Sequence, residues 1–304
     1  MDLTARARTI WGTPSRRLRI GWFRLLKTFR RNPNMTLGVV CVAIAVTMAV
    51  SAPLLADQSP TLIQTRQRLL PISSDHWFGT DHFGRDVFAR TIYGSRISLT
   101  VGISVAVLAL SAGTTIGLLT GYFSRVDAIA MRIIDGLMAI PGLLLAIALV
   151  ALLGASLQNV VVALSVTATP GISRVVRSSV LTLRSQLYVD AATAMGASPA
   201  RILLHHVLPN AWAPIIVLGT FIIPGVMLTE AGLSFLGAGT PPETPSWGNM
   251  IAEGRRFLRN APWMITFPGI FLSLTVLGVN LIGDALRDLT DPKLRRRAEV
   301  DRGR

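Results

Sequence analysis

Between Asp135 and Arg174 the chain carries no charged residue for 38 positions. As one α-helix, at about 1.5 Å per residue, that run would be far longer than the ~30 Å hydrocarbon core of a bilayer. It must fold back, and the stretch Gly154-Ala155-Ser156-Leu157-Gln158-Asn159 supplies the small and turn-forming residues to do so. Four more apolar runs flank it: Leu37 to Ala56, the uncharged interval between Arg96 and Arg125, Ala211 to about Gly237, and Pro262 to about Gly283. The reading is an all-α polytopic membrane protein with six transmembrane helices. Only 15% of the 304 residues are charged, where a soluble domain carries about 25%.

The formal charge of +14 does not imply nucleic acid, because it is concentrated at the ends. Residues 1–36 hold nine Lys or Arg and one acid, and seven more basic residues follow Leu286. Six helices put both ends on one side, and the positive-inside rule makes that side the cytosol. The basic ends then serve as topology determinants and contacts for membrane lipid. The 36-residue lead is too long for a signal-peptide n-region, so the first run is a retained helix. Only Arg255, Arg256 and Arg259, on the outer side, oppose the bias. A single cysteine, Cys41, excludes an internal disulfide, and no Cys/His spacing for a metal exists.

Gly113, Gly117 and Gly121 recur at four-residue spacing on the second helix and allow another helix to approach closely. Packing inside the subunit is the favoured reading, and a face lining a pore or meeting a partner membrane subunit is the other. Pro141, Pro170, Pro224 and Pro268 fall within spans and can kink them. Asp135 opens the third span, facing water or pairing with Arg132. Glu230 lies in the fifth, where an ionised group must be paired or face water.

The polar loop before the fifth span reads as helix, turn, helix. Tyr188, Ala191, Ala192 and Met195 share a face. Gly196 ends the first piece, Ser198 offers an N-cap oxygen and Pro199 occupies the first helical position. In the second piece Ile202 and His206 share a face, as do Leu203 and Val207, and Pro209 stops it. The register Asp190-Ala191-Ala192, Gly196-Ala197 and Val207-Leu208-Pro209 resembles the EAA loop of bacterial ABC-importer permeases, with Asp in place of the family's Glu. The resemblance implies that this loop docks onto a separate ATPase subunit. Its docking residues would be Asp190, Ala191, Ala192, Gly196, Ala197, Ile202, Leu203, His206, Leu208 and Pro209.

A second set of motifs resembles the dipeptide/oligopeptide (DppC/OppC-type) permeases. It comprises His76-Trp77-Phe78-Gly79-Thr80-Asp81, Gly84-Arg85-Asp86-Val87, Tyr93-Gly94-Ser95-Arg96, Thr229-Glu230-Ala231-Gly232-Leu233-Ser234-Phe235, Pro245-Ser246-Trp247-Gly248-Asn249 and Gly283-Asp284-Ala285-Leu286. Together they cover most of residues 76–293. Asp81, Arg85, Asp86, Arg90 and Arg96 are expected to form an external ion-pair scaffold at the start of the second helix.

The expected organisation is a basic N-terminus, first helix and external segment over 1–95, a type I importer transmembrane domain over 96–285 with its coupling loop at 188–210, and a basic tail over 286–304. The chain contains no G-x-x-x-x-G-K-[ST] loop, and neither of its two lysines, Lys27 and Lys293, follows a glycine. It is therefore read as non-catalytic, with no cofactor of its own and no metal site. The resemblance assigns ATP and Mg to two partner ATPases and adds a second permease and an extracytoplasmic substrate-binding protein. The setting is the bacterial inner membrane, with both termini cytosolic. Peptides are the expected cargo and Glu230 is expected at a permease interface or pathway. Alternatives are nickel or another small solute and, in a different class, a self-contained secondary transporter. The near absence of mid-span ionisable residues speaks against the last.

Overall fold

A computed structural model describes residues 32–56 and 58–290. The basic lead and most of the basic tail lie outside them. Among the described residues, five helices are long and apolar enough to cross a membrane, and one bent helix pair brings the number to six if the pair counts as one span.

Helix α1, Pro33–Leu55, starts with proline in its first turn, where a missing N–H costs nothing. Helix α2, Val87–Tyr122, begins beyond Asp86, whose carboxylate accepts from the Ala89 amide at 2.7 Å. At 36 residues it is about 54 Å long, so it projects past the apolar layer. Helices α3, Ser124–Met138, and α4, Gly142–Leu153, meet at a 92° bend beside Pro141. The third span is therefore broken: α4 alone, with 12 residues, is too short to cross. Pro141 signals a kink in the apolar run, but hydropathy reads composition and not direction, so the size of the bend left no mark.

The return falls where the uncharged run requires it. Gly154 takes φ +90°, and Ser156 caps helix α5, Leu157–Arg184, by accepting from the Asn159 amide at 3.1 Å. The Asn159 side chain closes the turn by donating to the carbonyls of Leu153 and Gly154. Helix α6, Leu187–Ala194, is short. Helix α7, Pro199–Phe235, runs unbroken for 37 residues. Pro209 does not stop it. A π-wound stretch, Ile202–Val207, precedes the proline and widens the turn that its ring would otherwise crowd. Helices α8, Trp247–Gly254, and α9, Trp263–Thr290, complete the order.

The bundle is centred on α2 packed along α5. Their contact is made by glycine: a Cβ on Gly113, Gly117 or Gly121 would lie 2.5–2.6 Å from the Cβ of Ile172, Val176 or Val180. The three glycines thus face a helix of their own chain. Helix α1 crosses α9 in the same way at Gly38 and Gly278, with Cys41 buried in the contact. Without a hydrophobic drive between helices in lipid, such close approach is what holds them.

Candidate functional site: a helical knob, an apolar groove and an ionic cap

The two ends of the bundle are built differently. At one end α6 and the start of α7 form a knob. Its turn is a Schellman motif: the Ala197 amide bonds the Ala192 carbonyl, the Gly196 amide bonds the Thr193 carbonyl, and Gly196 takes φ +81°. Ser198 then caps α7, and Pro199 fills the next position. Val189, Ala192, Ile202, Leu203 and Val207 turn inward and join a core with Val176 and Val180 of α5. Tyr188, Ala191 and Met195 stay outside, so Ala192 does not share their face. Asp190, Gly196 and Pro209 are exposed as well, while Ala197, His206 and Leu208 are half-buried.

Leu187 went unread in the sequence, and Met195 was placed on a helix face but not among the docking residues. Leu187 is 86% exposed and Met195 82%, and Leu204, on the start of α7, is 56% exposed. An apolar residue directly after the polar pair Ser185-Gln186, at a helix start, was the only signal for Leu187. Helix α3 is tied to α5 by two ion pairs: Asp127 pairs with Arg177, and Asp135 pairs with Arg174, not with Arg132.

In the middle of the bundle a groove of about 710 Å³ runs between α4, α5 and α7. Gly142, Gly171 and Gly225 line it, and a Cβ on any of them would meet nothing within 4 Å. Thr167 and Thr229 are its polar side chains, and no ionisable group lines it.

The opposite end is capped by residues 58–86 and 236–262. Asp81 and Glu253 clamp two buried guanidiniums: Arg85 bonds Asp81 at 2.5 Å and Glu253 at 2.7 Å, and Arg90 reaches Glu253 at 3.2 Å. Asp86 pairs with His76 at 2.8 Å while capping α2. Arg96 stands apart from this network and donates to the carbonyls of Ala49 and Val50 on α1. The expected scaffold thus exists without Arg96 and gains His76 and Glu253. Asp81, His82 and Glu253 converge within 4.8 Å, but Arg85 and Arg90 already match the charge of the two carboxylates. His82 stacks on Phe257 at 5.0 Å, and burial pushes its imidazole below the ordinary range.

Glu230 is buried near the cap end of α7. Its carboxylate accepts from Ser234 at 3.1 Å and from Ser246 at 2.9 Å, and Ser246 in turn caps α8. It does not line the groove; it ties α7 to α8. Trp247 anchors α8 in α2, its indole N–H donating to the Thr91 carbonyl at 2.9 Å.

Residues 113–296 match the family described as binding-protein-dependent transport system inner membrane component. The chain is 44% identical over 275 residues to the dipeptide transport system permease protein DppC of Alkalihalophilus pseudofirmus, covering 90% of each. It is 40% identical over 278 residues to the oligopeptide transport system permease protein OppC of Bacillus subtilis, again covering 90% of each. A chain of the MetNI methionine ABC transporter, solved in inward-facing conformations, shares the fold, with a TM-score of 0.57 at 21% identity over 66% of this chain and 97% of that one. The chain therefore belongs to the binding-protein-dependent transport system inner membrane components and is a multi-pass permease subunit of an ABC importer.

Proposed function

We propose that this chain forms half of the membrane pathway of an ATP-driven importer of di- and oligopeptides. A second permease would complete the pathway, two ATPases would bind ATP and Mg, and an extracytoplasmic binding protein would deliver the cargo. The observation that carries the reading is the knob: a rigid helical hairpin that leaves Leu187 and Met195 uncovered beside the free carboxylate face of Asp190. Apolar side chains this exposed at the tip of a built hairpin fit a groove on another protein. In this reading the knob end and both termini are cytosolic, in agreement with the basic ends, and the cap faces outward.

The groove between α4, α5 and α7 is this chain's share of the path. Its lining of glycine, threonine and aliphatic residues holds no charge that would select one side chain over another. That supports a cargo chosen by the binding protein and only conducted here. Peptides follow from the names of the relatives. Coupled ion transport finds no support, since Glu230 is bound to two serines away from the groove.

The test is copurification of the tagged chain from its native membrane, with and without Gly196→Arg. The substitution replaces the left-handed glycine of the turn and puts a long cation on the exposed tip. The expected result is that the wild type brings down an ATPase and a second permease, and that the variant keeps the permease but loses the ATPase by tenfold or more. A wild-type chain recovered alone, or only with copies of itself, would sink the reading.

A further inference from the structure

The joint between the knob and α7 is wound unlike the rest of the helix. Over Ile202–Val207 each turn takes an extra residue, and the Leu208 amide reaches back five places to the Leu203 carbonyl. Such windings are rare and concentrate at functional positions. Pro209 gives the local reason. It has no N–H, and in an ordinary α-helix its ring would meet the carbonyl of His205.

Across this joint two side chains close on one backbone atom. The carbonyl of His206 accepts from Asn210 Nδ2 at 2.7 Å and from the Tyr188 hydroxyl at 3.4 Å. Asn210 Nδ2 also lies 3.4 Å from the Tyr188 oxygen. Tyr188 belongs to α6 and Asn210 to α7, on opposite sides of the Gly196 turn. Tyr188 is 41% exposed and Asn210 is exposed, so burial does not account for either residue. What they share is a directional polar contact with a carbonyl in the π-wound stretch.

We infer that Tyr188 and Asn210 are positioning residues that clasp α6 to the start of α7, so that a push on the knob moves α7 as one body and is not absorbed in the Gly196 turn. The inference rests on the reading of the knob as the ATPase dock. The apolar contacts beneath it, Val189 and Ala192 against Ile202, Leu203 and Val207, hold the two helices together. They are not directional and permit sliding. The clasp fixes the register. From there α7 runs unbroken to Phe235, where Glu230 holds the Ser246 cap of α8. A displacement delivered at residue 206 therefore has a continuous path to the opposite end.

The experiment uses the complete transporter in proteoliposomes with its binding protein and cargo peptide, and compares the wild type with Tyr188→Phe, Asn210→Ala and the double variant. Three quantities are read: ATPase recovered with the chain, ATP hydrolysed, and peptide accumulated per ATP. The expected result is unchanged ATPase recovery, hydrolysis within twofold of wild type, and a fall of about fivefold in peptide per ATP for each single variant, the scale of one net hydrogen bond. The double variant should fall no further than the worse single, because both remove one shared contact. Variants that keep their ATPase and transport with wild-type stoichiometry overturn the clasp alone. A fall in stoichiometry that merely tracks lost ATPase also overturns it, since a weakened dock or fold then suffices. A wild-type preparation without any ATPase overturns the functional reading and the clasp with it.

Discussion

At the scale of the residue, the cap shows how a buried imidazole becomes a pH dependence. His82 sits under Phe257 with its Nδ1 buried and unpartnered. Burial lowers its proton affinity more than the nearby Asp81 and Glu253 raise it, while Arg85 and Arg90 lower it further. The unfolded chain therefore binds a proton at a pH where the folded chain does not, and stability rises with pH across that window. The contribution is complete above about pH 6.5, the ordinary histidine value, and is lost as pH falls below it. The thermal midpoint in detergent should drop between pH 7 and pH 5, and His82→Phe should flatten that slope. An equal slope in both proteins would exclude His82 as its source. Phe83, next in sequence, covers one part of the ring at 4.0 Å, but Phe257, which stacks on it, comes from 175 positions away and was not legible around His82.

Helix contacts follow from where glycine meets a neighbour and where it does not. Gly117 faces Val176 and the Ser173 carbonyl, so Gly117→Val forces α2 and α5 apart. The cost should be about 1–3 kcal/mol or more, seen as a lower yield of monodisperse protein and a lower unfolding midpoint. Gly171→Ala, on the open side of α5, meets nothing within 4 Å and should hold or raise the midpoint through better helix propensity. The four-residue glycine spacing was legible in the sequence; its partner helix was not, since spacing names a face and not what covers it. The same division holds elsewhere. The return at Gly154 and the knob turn at Gly196-Ala197-Ser198-Pro199 could be read because local chemistry dictates both. A kink at Pro141 could be read, though not its 92° size, while the passage of α7 through Pro209 could not. A proline read alone marks a break, and only the π-wound turn before Pro209 shows how the helix continues.

Over the whole molecule, the knob and the cap are the ends of one helix, about 55 Å apart by its 37 residues. The knob was recognisable because its residues lie within 23 positions of one another. The cap was only half recognisable. Asp81, Arg85 and Arg90 are close in sequence, but the acid that completes them, Glu253, comes from beyond α7. Glu253→Ala leaves two guanidiniums, 6% and 1% exposed, with one carboxylate between them. Removing one partner of a buried pair costs about 3–5 kcal/mol, and the loss should appear as a lower unfolding midpoint. A midpoint unchanged within error would show that water already serves both arginines.

That distant pairing also sets an order of assembly. Arg85 waits for a partner 168 positions further along the chain. At about 5–20 residues per second, the ribosome needs roughly 8–34 s to supply it. Throughout that interval the nascent protein holds two cations, Arg85 and Arg90, with one carboxylate, Asp81, between them beside its second span. A product truncated before residue 253 keeps that one-charge excess for good, which sets an unfinished permease chemically apart from a finished one.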